Sequence, residues 1–385
     1  MSWPRDDAKL ERVRALMAEE ELDALVVRAP DNVLYLTNFW GMKGYDAVVF
    51  PREGEAILIA LEASSDDAER SAWTKDVRFL KGYDERDPRP PTARTLELAT
   101  DAARDYDRVG LELSLGTQAS DRMVGEPTTY TRDWFDAFPT ASDAALLLAR
   151  ARALKTAQEI QRIRLANDLC AEAMEYVRAH LRTGMKASEA AALWQGFVHG
   201  FGTGYRGQVE LALGFSLVWS GPGIRTFTAT ADRPVVEDEP TLFEIWVCVD
   251  GYWCDHTKNL VLGELSPRYV ELEHQLTEVY DAAVAHCRPG ASLPDLDRLV
   301  REGIAAAGYA GQPSHPVCHG VGARAHEPPY AHQAGTGTVE ENMVLAIEPG
   351  IYWDGGGGLR LEDNFLITSD GAEKLSGFPD GIVRA

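Results

Sequence analysis

Cysteine is scarce, with five residues in a chain of 385. Five scattered thiols cannot frame a chain of this length, so a disulfide-stapled secreted module is excluded and reduced thiols in the cytoplasm are expected. No CxxC pair suggests a thiolate zinc site, and Cys248 and Cys254 read as buried free thiols. Basic residues are the minority: 38 Lys+Arg stand against 60 Asp+Glu, for a net charge of -22 and a pI near 4.8. Such a field repels phosphate backbones and anionic bilayers, so neither nucleic acid nor membrane is an expected partner. Long apolar runs are missing too. The longest nearly apolar stretches, residues 56–63 and 211–219, fall well short of the ~18–20 residues that span a bilayer. Residues 1–27 are charged and helix-periodic and do not read as a secretion signal. What is left is a chain 45% hydrophobic and 25% charged, enough for a sizeable core and for two or three domains.

Residues 7–21 carry Leu10, Val13, Leu16 and Met17 at helical spacing. Residues 24–27, 33–36, 47–50 and 56–61 then read as short strands, with Pro30-Asp31-Asn32 and residues 51–54 as turns. Helix patterns return at 63–73 and 92–104, the second after a Pro-rich loop at 87–91, and strand and helix alternate as far as Leu148. This predicts a small α/β domain over residues 1–150. A long helical pattern opens near Thr156, and the boundary is expected near 150–155. Over residues 151–385 the order is two helices, several strands, two helices around 267–307 and strands to the end, an α+β layer fold.

Residues 241–263, TLFEIWVCVDGYWCDHTKNLVLG, are the most informative segment. Asp250-Gly251 is a strong two-residue hairpin signal. If Val249 pairs with Tyr252, Trp246 lies opposite Asp255, and Glu244, Trp246, Asp255 and Thr257 share one face. Two acids side by side on an apolar strand pair are costly unless something positive sits between them, and a metal ion would do so. Further acids sit in apolar strand-like runs at Glu348 (residues 343–352) and Glu362 (residues 359–368), with Arg360 two positions before the latter. His319 lies beside Gly320 and Gly322, where backbone can approach a ligand closely, and His326 precedes Glu327-Pro328-Pro329. His315, His332 and Tyr330 flank this region and could line a pocket, Arg225 could bind a carboxylate, and His256 alternates away from Asp255 to face out or pack.

Two hairpin acids with ten residues between them, His-Gly-x-Gly, His-Glu-x-Pro, Ile-Glu-Pro-Gly and Arg-x-Glu-Asp, in that order, resemble the methionine aminopeptidase/prolidase/creatinase superfamily. Residues 23–27 followed by 32–37 resemble its creatinase-type N-terminal domain, so the likeness covers nearly the whole chain. The resemblance implies a C-terminal pita-bread fold behind a smaller α/β domain, and a homodimer. It implies Glu244, Asp255, His319, Glu348 and Glu362 as metal ligands and Glu348 and His326 as catalytic groups. Substrate contacts are expected from Phe227, Trp246, His326, Tyr330 and Arg360, the last either binding substrate or orienting a ligand carboxylate. Four carboxylates and an imidazole suit two divalent ions of the Mn²⁺, Fe²⁺, Co²⁺ or Zn²⁺ kind. The implied reaction is hydrolysis of a C–N bond in a short peptide or small molecule, typically next to proline.

The sequence departs from the family pattern at three points. Glu244 stands where Asp is usual, Trp246 where the residue is small, and Phe227 where a His precedes the first ligand by about 17 residues. Two explanations compete: a metallohydrolase with a reshaped pocket, or a relative that has lost metal, either creatinase-like and still hydrolytic or retained only for binding.

Overall fold

The computed structural model describes residues 3–113, 132–225, 228–230, 232–353 and 355–385. The chain divides into two compact units, Met1–Arg152 and Ala153–Ala385.

In the first unit the order is α1 (Asp7–Glu19), β1 (Ala24–Val27), α2 (Pro30–Thr37), β2 (Ala47–Pro51), β3 (Ile57–Leu61), α3 (Ser65–Ser71), β4 (Asp76–Leu80), α4 (Pro91–Ala103), β5 (Val109–Leu111), α5 (Arg132–Ala137), β6 (Ser142–Asp143) and α6 (Ala145–Ala153). The strands form one mixed sheet in the order β4-β3-β2-β1-β5-β6. Alternation along β1 to β3 sends Leu25, Val27, Val48, Phe50 and Leu58 to one core, and Ala24, Val26, Val49, Ile57 and Ile59 to the other. Both faces are covered, so the strands read as continuous apolar runs.

Residues 33–36, expected as a strand, are instead part of helix α2. Pro30, taken for a turn, occupies the first helical turn, where its missing N–H costs nothing, and Asp31 lies in the same turn. Every residue from Asp31 to Thr37 is buried, and a short apolar run buried all round carries no periodicity to tell helix from strand.

The second unit begins with α7 (Ala157–His180), opened by a reciprocal cap in which Thr156 and Glu159 each accept the other's backbone N–H. Ile163, Ala166, Leu169, Cys170, Ala173, Met174 and Val177 form its buried stripe. A fully buried aliphatic side chain of this size contributes about 1.5–3 kcal/mol. Next come α8 (Ala187–Phe201), β7 (Ala212–Ser220), β8 (Pro240–Val249), β9 (Tyr252–Val261), α9 (Pro267–His286), α10 (Leu293–Ala306), β10 (Cys318–Gly320), β11 (Glu327–Tyr330), β12 (Val344–Ile347), β13 (Gly350–Tyr352), β14 (Gly358–Arg360), β15 (Asp363–Thr368), β16 (Gly371–Lys374) and β17 (Ile382–Arg384).

The sheets run β17-β9-β8-β7 and β11-β10-β12-β15-β16, with β13 and β14 as a separate pair. Helix α7 packs on β8 and β9, and α9 packs on β12, β14 and β16. The turn between β8 and β9 has positive φ at Asp250 and Gly251, as a tight twisted hairpin requires. The pairing puts Val249 opposite Tyr252 and Trp246 opposite Asp255, the register read from the sequence.

The runs 343–352 and 359–368, expected as single strands, are each broken in the middle. Ile347 pairs with Asp363 before the break and Gly350 with Arg360 after it, one uninterrupted register. Glu348 and Glu362 therefore stand opposite each other in the gap. Pro349 has no N–H to give a ladder, and like charges directly opposite destabilise pairing. Glu348 N–H turns to Val317 O instead.

Candidate active site

Four stretches of the second unit deliver the site. β8 and β9 present Glu244, Trp246, Asp255 and Thr257 on one face. The gap between β12 and β13 presents Glu348, and the gap between β14 and β15 presents Glu362. β10 contributes His319, and His326 lies just ahead of β11.

Donor atoms of Glu244, Asp255 and Glu362 lie within 4.8 Å of one another, as do those of Asp255, His319 and His326, and of His319, Glu348 and Glu362. His319 Nε2 is 3.3 Å from Glu348 Oε1 and 3.6 Å from Asp255 Oδ2, and His326 Nε2 is 3.3 Å from Asp255 Oδ2. His319 Nδ1 lies 3.0 Å from Gly320 O. With Nδ1–H donating there, Nε2 is the nitrogen turned toward the carboxylates, the one a ligand histidine offers to a metal once its proton has left. All five residues expected to hold metal, and His326, are thus brought together.

Arg360 is enclosed among them. Its Nη2 contacts Glu244 Oε2. Its Nε donates to Thr257 Oγ1 at 2.6 Å and lies 3.4 Å from Glu362 Oε2, while Thr257 donates to Glu362 at 2.6 Å. Its Nη1 donates to Tyr352 OH at 3.1 Å. This commitment fits orientation of ligand carboxylates, one of the two roles expected of Arg360, rather than contact with substrate.

Charge in the site is divided. Burial acts to raise Glu348, but His315 and His319 outweigh it and hold the carboxyl at about 2. Burial opposes charge on both imidazoles, and Glu348 nevertheless holds them above their ordinary value. Asp255 behaves oppositely. Burial first, then Glu362 and Glu348, push its carboxyl well above the usual range, with the Trp246 indole acting the other way. One side of the cluster carries its own cations. The Asp255 side is where a further positive charge fits.

Trp246 stacks on Phe215 of β7, with ring centroids 5.4 Å apart, and stands 6.3 Å from His326. Tyr330 pairs with His319 across β10 and β11, its ring 6.2 Å away and the residue 41% exposed. Phe227 lies outside the described residues. His332 is exposed and accepts from Ala334 N–H, away from the cluster. His256 packs, fully buried, on the far face of β9.

Tyr352, not singled out from the sequence, joins the site together with His315, which was expected to be able to line a pocket. His315 Nδ1 lies 3.2 Å from Glu348 Oε2, and Tyr352 OH lies 3.3 Å from His315 Nε2. The alternation Gly350-Ile351-Tyr352 after Glu348 was the available signal for Tyr352. The glycines beside His319 serve a purpose other than the one expected. A Cβ on Gly320 would sit 2.7 and 2.8 Å from the carbonyl oxygens of Pro328 and Glu327, and one on Gly322 would meet the Glu327 carboxylate. The close approach is by the chain's own 327–328 segment, not by a ligand. Glu327 is fixed there by a buried ion pair with Lys155 at 3.0 Å.

No helix among the described residues is long and apolar enough to cross a membrane. Two family models match the sequence: Metallopeptidase family M24 over residues 161–369 and the Creatinase/Prolidase N-terminal domain over residues 9–123. An uncharacterized peptidase of Staphylococcus saprophyticus is 24% identical over 374 residues, spanning 96% of this chain and 99% of its own length. Among solved structures, the prolidase from Pyrococcus horikoshii superposes with a TM-score of 0.80 at 22% identity, covering 97% of this chain and 99% of its own. The Xaa-Pro dipeptidase from Bacillus anthracis does so with a TM-score of 0.80 at 21% identity, covering 98% and 99%. These two likenesses establish the fold, an α+β catalytic unit behind a creatinase-type domain. With the M24 model matching over more than half of its length, the chain belongs to metallopeptidase family M24 and is a metallopeptidase-type hydrolase.

Proposed function

We propose that the protein is a metal-dependent hydrolase of a peptide C–N bond, of the Xaa-Pro dipeptidase or aminopeptidase kind, with its pocket reshaped by Trp246 toward a small amide. One observation carries the reading. Both carboxylate oxygens of Asp255 and Nε2 of His319 are buried without a hydrogen-bond partner, yet they face each other across the cluster. Unpartnered buried donors and acceptors are expensive, and a cation between them removes the cost.

Glu244, Asp255, His319, Glu348 and Glu362 would hold two divalent ions, and an oxygen-rich set with one imidazole suits Mn²⁺, Co²⁺, Fe²⁺ or Zn²⁺. Such ions supply a polarised carbonyl and a water acidified to near neutrality. Glu348, ionised between His315 and His319, takes a proton from the attacking water and passes it to the leaving nitrogen. His326 offers an N–H to the oxygen on which charge develops. Trp246 and Tyr330 flank the histidines, where a substrate side chain or ring would lie. A short peptide, not a nucleic acid or membrane, is the partner suited to a chain of charge -22.

A second reading, a metal-independent, creatinase-like amidinohydrolase, is favoured by Arg360. Its guanidinium lies against Glu244 and Glu362, while imidazoles lie against Glu348 and Asp255, so the chain brings cations of its own. The test is metal counting by inductively coupled plasma analysis alongside activity on Xaa-Pro dipeptides, proline-second tripeptides, creatine and cyclic amidines. The proposal expects about two ions per chain, loss of hydrolysis on chelation and recovery with Mn²⁺ or Co²⁺. Hydrolysis that survives chelation with no ion counted overturns it in favour of the second reading. A chain inert toward every substrate and every ion leaves only a binding role.

A further inference from the structure

The face of β9 turned away from Asp255 carries a second group of donors. Cys254 and His256 alternate with Asp255 and Thr257, so they project toward α7, where Asn167 and Cys170 lie on the buried stripe about one turn apart. The sulfur atoms of Cys170 and Cys254 and a ring nitrogen of His256 lie within 4.8 Å of one another, and all three residues are buried. Asn167 Nδ2 donates to Ile163 O at 2.8 Å, which turns Oδ1 toward His256 Nε2, also at 2.8 Å. The other ring nitrogen, Nδ1, is 3.1 Å from Asp363 Oδ1. A carboxylate behind one imidazole nitrogen is the arrangement that orients histidine ligands.

We propose that Cys170, Cys254 and His256, with Asn167 Oδ1 as fourth donor, form a closed site for a borderline or soft cation of the Zn²⁺ class, distinct from the carboxylate-rich centre on the opposite face of the strand. Two sulfurs, an imidazole nitrogen and one oxygen select against hard ions such as Mn²⁺ and Mg²⁺. Four protein donors with no open position make a structural site, not a catalytic one. On binding, the ion replaces both thiol protons and the Nε2 proton shared with Asn167, while Nδ1 keeps its proton and faces Asp363 Oδ1 at 3.1 Å. The ion would tie α7 to the strand that carries Asp255, so one strand would serve a hard cation centre on one face and a soft one on the other.

The test is a Co²⁺ titration of the reduced, metal-free protein, with Co²⁺ standing in for Zn²⁺. Thiolate-to-cobalt charge transfer in the near ultraviolet reports sulfur ligation, which a carboxylate–imidazole centre cannot give. The expected result is a band that saturates at about one equivalent, is displaced by Zn²⁺, disappears in Cys170→Ser and in Cys254→Ser, and persists in Glu348→Gln. Cys248, Cys287 and Cys318 are internal controls. A band that survives in both serine variants places the cobalt elsewhere and overturns the proposal. So does a wild-type protein with no thiolate band at cobalt concentrations that fill the carboxylate centre. Should the serine variants fail to fold, X-ray absorption of the zinc-loaded wild type decides between sulfur scatterers at about 2.3 Å, as proposed, and oxygen and nitrogen alone, which refutes it.

Discussion

Replacing Arg360 by methionine tests whether the guanidinium is the internal counter-ion of the carboxylate cluster. Methionine keeps most of the apolar stem and removes the charge. The side chain is buried against Glu244, Glu362, Thr257 and Tyr352, so water cannot take over its role. Removing one partner of a buried pair costs about 3–5 kcal/mol, because the remaining charge is left uncompensated. Against a typical total of about 5–15 kcal/mol, that is a large fraction of the stability of a domain. Urea unfolding in chelator, followed by tryptophan fluorescence, should show this loss. A double-mutant cycle with Glu244→Gln should return a coupling of about 2–3 kcal/mol. Repeating the unfolding with Mn²⁺ at about 100 times the wild-type Kd should add about 2.7 kcal/mol to the wild type. Arg360→Met should gain more than the wild type, since the ion then supplies the charge that the guanidinium supplied. A loss below about 1 kcal/mol in chelator, or a deficit that widens with Mn²⁺, would refute the counter-ion role.

Glu348→Gln should lower kcat by about 10²–10⁴-fold while the far-ultraviolet circular dichroism stays that of the wild type, because one oxygen of charge and the proton carrier are lost without a change of volume. Gly320→Ala should cost about 1–3 kcal/mol in thermal or urea unfolding and reduce the metal content, since its Cβ meets two backbone carbonyls that have no rotamer to escape into. In the first unit, burial raises Asp46 from 3.8 to about 6. An acid held protonated by the fold gives stability that is fully present below about pH 4 and is lost as pH rises through about 6. That shift is worth about 3 kcal/mol at 1.36 kcal/mol per tenfold change. Asp46→Asn should flatten this slope in urea midpoints measured from pH 4 to 7, and an unchanged slope would assign it to other groups.

The hairpin of β8 and β9 was legible because two local rules agree there. Asp250-Gly251 fixes the turn and thereby the register, and the register places Glu244, Trp246, Asp255 and Thr257 on one face. Helix α2 was not legible, since a short apolar run buried on every side offers no period. Glu348 and Glu362 could be picked out as acids in apolar runs, but their opposition could not, because it depends on pairing across a loop. The glycines near His319 signalled close approach without saying of what. Cys170 and Cys254 are far apart in sequence with no spacing motif, so their meeting depends on how α7 lies over β9.

Both strand pairs that build the site set acids against each other. Glu244 and Asp255 are diagonal neighbours on one pair, and Glu348 faces Glu362 across the gap of the other. In each case a continuous apolar ladder would have been the cheaper structure, because like charges opposite one another weaken pairing and buried carboxylates are costly alone. The chain answers part of this with its own groups: Arg360 lies against Glu244 and Glu362, and His315 and His319 lie against Glu348. Asp255 has two imidazoles nearby but no hydrogen bond to either of its oxygens, and its carboxyl is the one driven toward the neutral form. The compensation is thus strongest around Glu348 and weakest at Asp255, the residue central to two of the donor clusters. A cation bound beside Asp255 would restore its charge and relieve its repulsion with Glu362 and Glu348 at once. Ion binding and stability of this unit would therefore be linked through that one carboxylate.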